Sequence, residues 1–215
     1  MISDSQNIET AVLNGEAATA ASLAREMLAA GIPRLDALQP FIAAIRHAGD
    51  LFEQGDFFLP QLLLASNAMK AALDILFPRD SQETQGIYQG TVLAGTVQGD
   101  IHEIGKNLVC ALLTANGFRV VDLGGDVALD RFLEQIRTLK PDLLALSALL
   151  TTTMIQQKRM IELLEEADLR NRVKVMVGGA PVTSQWAQTI GADGYAPDAA
   201  RAVDLAFSLM GKGRA

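Results

Sequence analysis

The stretch GTVLAGTVQGDIHEIG, residues 90–105, joins an apolar, strand-like run to a helix-like one and decides the fold of the second half of the chain. A buried strand that leads at once into a helix is the repeating unit of parallel α/β domains. Asp100 and His102 then lie on the loop at the carboxyl end of that strand. Because open parallel sheets bind ligands at this edge, we expect His102 at a ligand site, with Asp100 close enough to orient it.

Strand-like and helix-like runs continue to alternate to the end of the chain. The strand candidates are 90–97, 119–123, 143–146, 173–177 and 194–196, and the helix candidates are 103–116, 128–139, 154–168, 184–190 and 198–211. Five such units in series predict a doubly wound, five-stranded parallel sheet of the flavodoxin-like type. Right-handed crossovers then place every strand-to-helix loop on one edge of the sheet.

The first 80 residues show a different pattern, in which apolar residues recur at helical spacing. The recurring positions are Ala20, Leu23, Met27, Leu28, Leu38, Phe41, Ile42, Ile45, Phe52, Leu62, Ala65, Met69, Leu73 and Leu76. Gly31 with Pro33, and Gly55 with Pro60, separate successive helices, so four helices are predicted. Residues 79–86 are polar and turn-prone. We therefore predict an all-α four-helix domain over residues 1–80, a linker over 81–89 and an α/β domain over 90–215.

Composition narrows the class of function. The 18 basic and 25 acidic residues give a formal net charge of −7, and no clustered basic face for nucleic acid is visible. No apolar run reaches the roughly 18 residues that cross a bilayer, and the first 20 residues lack the order of a secretory signal. The single cysteine, Cys110, cannot form an internal disulfide. We expect a cytoplasmic protein that binds neither nucleic acid nor membrane.

The loops at the predicted edge are rich in glycine and small hydroxyl residues. They contain Gly124, Gly125 and Asp126 after the second strand, Ser147, Thr151, Thr152 and Thr153 after the third, and Gly178, Gly179 and Ala180 after the fourth. Small residues let a flat or bulky ligand approach the backbone closely. A pocket that runs down between strands is therefore predicted.

Three of these loops carry a family pattern. Asp100, His102 and Gly105 form Asp-x-His-x-x-Gly, the motif Ser147-Ala-Leu149 follows after 41 residues, and Gly178-Gly179 follows after a further 28. This pattern resembles the signature of cobalamin-binding domains that hold the corrinoid with its lower base detached.

The first half of the chain supports a narrower placement. The segment GDLFEQGDFFLPQL, residues 49–62, followed by Ala68 and Met69, resembles the helical cap of cobalamin-dependent methionine synthase. It is also similar to the small corrinoid proteins of methanol, methylamine and methoxy-compound methyltransferase systems. The resemblance extends from about residue 5 to residue 211.

The resemblance implies a ligand set for cobalt. His102 would take the lower axial position through one ring nitrogen in place of the cofactor's own base, a base-off, His-on mode. Asp100 would accept a hydrogen bond from the other ring nitrogen, which fixes the tautomer and raises the basicity of the ligand. Ser147 would extend this network by one step.

The resemblance also implies further cofactor contacts. The displaced nucleotide tail would enter a slot where Gly178 and Gly179 leave room, with Ser147 or Thr151 as hydrogen-bond partners. The other expected contacts are Gly105, Leu149 and Gly125 on the sheet edge, and Phe58 and Met69 over the upper face of the corrin. The linker would act as a hinge that lets the cap swing aside.

A protein of this kind is an accessory corrinoid subunit that carries a methyl group, in a cycle between methylcobalamin and Co(I), from one enzyme to another. The implied partners are a substrate-specific methyltransferase, an acceptor methyltransferase that uses tetrahydrofolate or a thiol coenzyme, and a reductive activation protein. The methyl donor is not encoded in these motifs, because its selection belongs to the first partner.

Other interpretations remain open at this point. Residues 124–126 can be a simple turn, and Ser147 and residues 151–153 can be helix caps. For the whole chain, the alternatives are a cobalamin-dependent sensor or regulatory domain and a flavodoxin- or receiver-type domain without corrinoid. A sensor would carry a DNA-binding or output module, which the acidic balance disfavours, and a receiver would need an acidic cluster at the strand ends.

Overall fold

The computed structural model of the protein describes residues 2–77 and 88–213. The chain divides into two compact units, one with residues 1–88 and 114–117 and the other with residues 89–113 and 118–215. Residues 81–87 of the predicted linker lie outside the described residues, and so does the whole of the predicted hinge at 79–86.

The first unit is all-α, as predicted. Within residues 2–77 the helices are α1 (Ile2–Leu13), α2 (Ala17–Ala29), α3 (Arg34–Gln54) and α4 (Leu59–Leu76). Gly55 ends α3 in the left-handed conformation, with φ at 85°, and Pro60 lies in the first turn of α4, where its missing N–H costs no hydrogen bond. Large apolar side chains that are fully buried, such as Phe41, Ile45 and Leu62, form the core. In the described parts of the chain, no helix is both long enough and apolar enough to cross a membrane.

The second unit is a parallel α/β domain. Its elements in chain order are β1 (Thr91–Thr96), α5 (Ile104–Ala115), β2 (Arg119–Asp122), α6 (Leu129–Leu139), β3 (Leu143–Ser147), α7 (Ile155–Glu166), β4 (Lys174–Gly178), α8 (Ser184–Thr189), β5 (Gly194–Tyr195) and α9 (Ala199–Leu209). The strand order within residues 88–213 is β2-β1-β3-β4-β5, and every pairing is parallel. The predicted fold class, a five-stranded doubly wound sheet preceded by a helical cap domain, is confirmed.

The two faces of the sheet differ in packing. One face forms a continuous core with α6, α7 and α8, in which Leu144 and Leu146 of β3 are buried against residues such as Phe132 and Leu164. Because side chains alternate along a strand, Ala145 and Ser147 lie on the opposite face, where both are only partly buried. A partly exposed pair on the central strand marks a less tightly packed region near the carboxyl edge.

Candidate functional site

The centre of the site is the pair formed by His102 and Asp100 on the loop between β1 and α5. Nδ1 of His102 lies 2.8 Å from Oδ1 of Asp100, and the backbone N–H of His102 donates to the same oxygen at 3.1 Å. Because a carboxylate only accepts, Nδ1 carries the proton and Nε2 presents its lone pair. The Asp100 side chain is fully buried, whereas 46% of the His102 side chain is exposed. The pair therefore offers an oriented imidazole nitrogen to a ligand.

The second oxygen of Asp100 connects this loop to the turn after β3. Oδ2 accepts hydrogen bonds from the backbone N–H of Leu149 at 2.7 Å, from that of Leu150 at 3.3 Å and from the hydroxyl of Thr153 at 2.6 Å. Thr153 is buried, whereas Thr151, the predicted contact, is exposed. Thr153 is thus a site residue that the sequence did not single out, because three consecutive threonines offer three equivalent candidates.

The ionisation of Asp100 follows from these contacts. Burial alone would raise the pKa of its carboxyl, because the charged form loses solvation. Hydrogen bonds from the Thr153 hydroxyl, from the ring and backbone of His102 and from the Leu149 amide outweigh burial and hold that pKa well below its usual range. The carboxylate is therefore charged at neutral pH and keeps the proton on Nδ1 of His102.

A buried lysine supports the same loop from the other side. Lys106, in the first turn of α5, is 3% exposed at its side chain and lies 3.2 Å from Oε1 of Glu103. Its ammonium also donates to Oδ1 of Asn107 at 2.9 Å and pairs with Oδ2 of Asp122 at the end of β2. Oδ1 of Asp122 in turn accepts the backbone N–H of Gly124 at 3.0 Å. Lys106 therefore links the helix that follows His102 to the loop between β2 and α6.

That loop also contacts the residues before His102. The backbone N–H of Asp126 donates to the carbonyl of Asp100 at 2.7 Å, and Oδ1 of Asp126 accepts the N–H of Gly99 at 2.7 Å. Gly125, a predicted contact residue, lies close enough that an added Cβ would be 3.2 Å from Cγ of Glu103. The position of His102 is thus fixed by contacts with the loops on both sides.

Exposed apolar side chains occur at the sheet edge that carries His102. Ile101 and Ile104 are each 76% exposed, an unusual degree for isoleucine, and the other exposed members are Leu149, Leu150 and Ile155. Ile101 lies on the loop after β1, and Leu149 and Leu150 follow β3. Ile104 and Ile155 are the first residues of α5 and α7, at the same carboxyl edge of the sheet. At Gly105 an added Cβ would meet no atom within 4 Å. We use the name apolar rim for the five exposed side chains of Ile101, Ile104, Leu149, Leu150 and Ile155.

A row of small residues crosses the sheet at the carboxyl ends of β1, β3 and β4. Thr96 of β1, Ser147 of β3 and Gly178 of β4 are partners in register across the sheet, and Ala145 lies two residues before Ser147 on the same face. The hydroxyl of Thr96 donates to the backbone carbonyl of His102 at 3.1 Å, so the furrow and the His102 loop are in direct contact. We use the term furrow for these four residues.

The two predicted glycines after β4 differ in their surroundings. Gly179 has φ at 126°, and an added Cβ would collide with the backbone carbonyl of Ala148, so glycine is required for the loops after β3 and β4 to approach each other. At Gly178 an added Cβ would make an ordinary contact, 3.4 Å from the carbonyl oxygen of Ala196. Gly178 therefore adds no side chain to the furrow, while Gly179 serves backbone packing.

Family comparisons agree with this geometry. A model described as a B12 binding domain matches residues 90–204, and a second model with the same description matches residues 5–77. The chain belongs to the family of B12-binding corrinoid proteins. The resemblance inferred from Asp-x-His-x-x-Gly, Ser-x-Leu and Gly-Gly is thereby confirmed.

Individual relatives of this corrinoid protein are similar over most of their length. It is 48% identical to trimethylamine corrinoid protein 2 of Methanosarcina acetivorans over 183 residues, which is 84% of either chain. A corrinoid protein of Desulfitobacterium hafniense is 39% identical over 95% of this chain and 96% of the relative. A crystal structure of the methanol:cobalamin methyltransferase complex from Methanosarcina barkeri matches 99% of this chain and 81% of its own with a TM-score of 0.82, at 28% identity.

The residues at the sheet edge fit a corrinoid. His102, with Nδ1 held by Asp100, presents its other ring nitrogen, which would serve as a donor to the metal of a bound corrinoid. A macrocycle with apolar faces can lie on the apolar rim around that nitrogen. Three of the furrow residues, Ala145, Ser147 and Gly178, are small and partly exposed, so a narrow appendage can lie against them.

The remaining predicted contacts occupy varied positions. Leu149 belongs to the apolar rim and also donates its N–H to Asp100. In the helical unit, Phe58 directly precedes α4 and is 71% exposed, whereas Met69 in α4 is only 3% exposed. The roles assigned to Phe58, Met69 and Thr151 stay predictions.

Proposed function

We propose that this corrinoid protein carries a methyl group between two methyltransferases, with cobalamin or a related corrinoid bound base-off and Nε2 of His102 as the lower axial ligand of cobalt. The observation that carries the proposal is the pairing of a half-exposed imidazole with a fully buried, multiply hydrogen-bonded carboxylate at the sheet edge that also carries the apolar rim. A surface histidine without a ligand would not need an oriented tautomer, and the exposed isoleucines beside it would not be favoured.

The corrinoid supplies, when bound, a reduced cobalt that is strongly nucleophilic and able to accept a methyl group. The residues of this chain supply control of the axial ligand. Asp100 keeps the proton on Nδ1 of His102, so the lone pair of Nε2 is always directed outwards. The low pKa of Asp100 keeps its carboxylate charged, so it stays a hydrogen-bond acceptor for Nδ1 of His102.

The loop that carries Asp100 and His102 is held in place from two sides. Thr153, Leu149 and Leu150 hold Asp100 from the β3 side. Asp126 holds the backbone of the same loop from the β2 side. Because the nitrogen is held in place before binding, little conformational entropy is lost when it becomes a ligand. This rigidity favours a carrier whose cofactor stays bound through many cycles.

A methylated amine is the donor class that we propose for the first partner. The support is the 48% identity with a protein named as a trimethylamine corrinoid protein, over 84% of both chains, against 28% with the methanol complex. The second partner would transfer the methyl group to tetrahydrofolate or a thiol coenzyme. A reductive activation protein would restore oxidised cofactor.

The first experiment tests corrinoid binding. Apoprotein mixed with hydroxocobalamin and passed through a gel-filtration column is expected to elute red, with one corrinoid per chain. His102→Ala should bind more weakly, while His47→Ala, at the other histidine of the chain, should bind as the wild type does. A colourless wild-type protein would contradict the proposal.

The second experiment tests the carrier role and the donor. Reduced holoprotein with trimethylamine and a trimethylamine-specific methyltransferase is expected to release one dimethylamine per corrinoid. A parallel reaction with methanol and a methanol-specific methyltransferase is the comparison. It should transfer no methyl group to the corrinoid of this protein. Release of dimethylamine without the holoprotein, or none with it, would contradict the assignment.

A further inference from the structure

A buried glutamine lies directly behind the furrow. The Gln157 side chain, in α7, is completely buried. Its Nε2 donates to the backbone carbonyl of Leu146 at 3.0 Å and to that of Gly178 at 3.1 Å, and its Oε1 accepts a hydrogen bond from Nε1 of Trp186 at 3.1 Å. Both amide hydrogens and the amide oxygen of Gln157 are therefore used.

The amide acts where β3 and β4 end. Ser147 and Gly178 are register partners, and the next contact is the N–H of Ala148, which donates to the carbonyl of Gly178 at 3.1 Å. The carbonyl of Gly178 thus accepts from both the neighbouring strand and Gln157. The Leu146 side chain belongs to the core on the α7 side of the sheet. Gln157 therefore holds the two strand ends from the face opposite to Ser147.

This arrangement is more specific than helix packing requires. The neighbouring buried positions of α7 are the apolar Met160, Ile161 and Leu164, and an apolar residue at position 157 would pack against the sheet but would leave Leu146, Gly178 and Trp186 without these hydrogen bonds. Burying an amide is unfavourable unless its groups are paired, so its presence indicates a need to fix particular partners. The partners fixed here are the carbonyl groups of the strand ends that form the furrow.

We propose that Gln157 is a positioning residue for the nucleotide tail of the corrinoid, acting through the backbone of Gly178. The inference rests on the proposed function, in which the displaced tail lies in the furrow. By drawing the carbonyl of Gly178 towards α7, the amide keeps the peptide that follows it from turning into the space beside Ser147. The ligand class is a complete cobamide with its ribose phosphate and lower base, as opposed to a corrinoid that lacks them.

Comparing two corrinoids tests the proposal. Cobalamin has the nucleotide tail and cobinamide lacks it, so equilibrium dialysis of both against one protein separates contacts of the ring from contacts of the tail. For Gln157→Met, the Kd of cobalamin is expected to rise about tenfold, the effect of losing one or two amide hydrogen bonds. The Kd of cobinamide should stay within about twofold of the wild-type value. A general loss of structure would weaken the binding of both corrinoids alike.

The chain offers a matched control and a second variant. Gln156, the preceding residue of α7, is only partly buried, so Gln156→Met changes the same chemistry outside the furrow and should alter neither Kd. Trp186→Phe keeps Gln157 but removes the donor to its Oε1. It should raise the Kd of cobalamin by a smaller factor than Gln157→Met does, and leave the Kd of cobinamide unchanged. If Gln157→Met does not fold, the selectivity of Trp186→Phe decides the question.

The outcomes separate this inference from the proposed function. Wild-type protein that binds neither corrinoid contradicts both. Wild-type protein that binds both corrinoids equally well overturns the role of Gln157 and leaves corrinoid binding intact. So does a Gln157 variant in which the binding of both corrinoids is weakened equally, or in which neither is weakened. Weaker binding of cobalamin, with unchanged binding of cobinamide, supports the inference.

Discussion

The hydroxyl of Thr153 donates to Oδ2 of Asp100 at 2.6 Å, across a separation of 53 residues in the chain. This bond joins the turn before α7 to the loop that carries His102. Because the other carboxylate oxygen contacts the imidazole, Thr153, Asp100 and His102 form one continuous network. The orientation of the proposed cobalt ligand therefore depends on a residue of a different βα unit.

Removing the Thr153 hydroxyl should destabilise the α/β unit. Thr153→Val keeps the shape of the side chain but removes a buried hydrogen bond to a charged group, so the free energy of unfolding should fall by about 2 kcal/mol. Trp186, the single tryptophan of the chain, lies in the α/β unit, and its fluorescence during urea unfolding measures the change. Thr152→Val, at an exposed neighbour, should change stability by less than about 0.5 kcal/mol. Equal effects of the two changes would argue against the network.

The low pKa of Asp100 gives stability a defined pH dependence. Because its pKa is lower in the folded than in the unfolded state, the carboxylate stabilises the fold above the unfolded value of about 3.9, and this contribution is lost as the pH falls below it. Asp100→Asn removes the charge and places an amide N–H₂ against donors, so the variant should be less stable by about 3 kcal/mol at neutral pH. The difference from wild type should shrink below about pH 4.

Urea unfolding at several pH values checks this. The pKa of Asp193 is also lowered, by hydrogen bonds from Val175, Lys174 and Arg170 that outweigh its burial, but Asp193 is unchanged in both proteins. The difference between them therefore isolates Asp100. A difference that stays constant from neutral to acidic pH would mean that Asp100 is not held in its charged form.

Lys106 should matter more for stability than its position beside a surface loop suggests. Lys106→Met leaves Glu103 and Asp122 without their common partner, and the free energy of unfolding should fall by about 2 kcal/mol. This is less than for a fully buried pair, because the two carboxylates are partly exposed and screened by solvent. Lys158→Met, in an exposed ion pair of α7, is the control and should cost less than about 0.5 kcal/mol. Similar losses in both variants would show that Lys106 is an ordinary surface lysine.

Gly105→Ala should weaken corrinoid binding without lowering the stability of the fold. In the first turn of α5 an alanine has room, and its better helix propensity should leave stability unchanged or raise it by up to about 1 kcal/mol. If the corrin lies on the rim, the added methyl group would press against it, and the Kd of hydroxocobalamin should rise by about tenfold. Thermal unfolding and equilibrium dialysis of Gly105→Ala give the two values. An unchanged Kd would place the ring elsewhere.

The sequence predicted the fold well because its strand and helix periods alternate without interruption. The strands observed at Arg119–Asp122 and Gly194–Tyr195 lie within the predicted 119–123 and 194–196. Thr153 could not be chosen from three adjacent threonines, since only the direction of the turn before α7 distinguishes them. The pairing of Lys106 with Asp122 depends on β2 lying next to β1, which no local pattern encodes.

The position of Gln157 in the sequence already indicates a buried polar role. It precedes Met160, Ile161 and Leu164 at spacings of three, four and seven residues, which place all four on one face of α7. A polar residue inside such an apolar repeat indicates a buried hydrogen-bonding role. Such a position identifies a candidate but not its partners, because the carbonyls of Leu146 and Gly178 meet it only in the folded sheet.

The most direct test of the account is the electron paramagnetic resonance spectrum of the Co(II) form, with protein that contains ¹⁵N-labelled histidine and unlabelled cobalamin. If Nε2 of His102 is the axial ligand, each cobalt line should split into a doublet from one ¹⁵N nucleus. The doublet should persist in His47→Ala and disappear in His102→Ala. A triplet from the unlabelled base of the cofactor, or a doublet that survives in His102→Ala, would contradict the assignment.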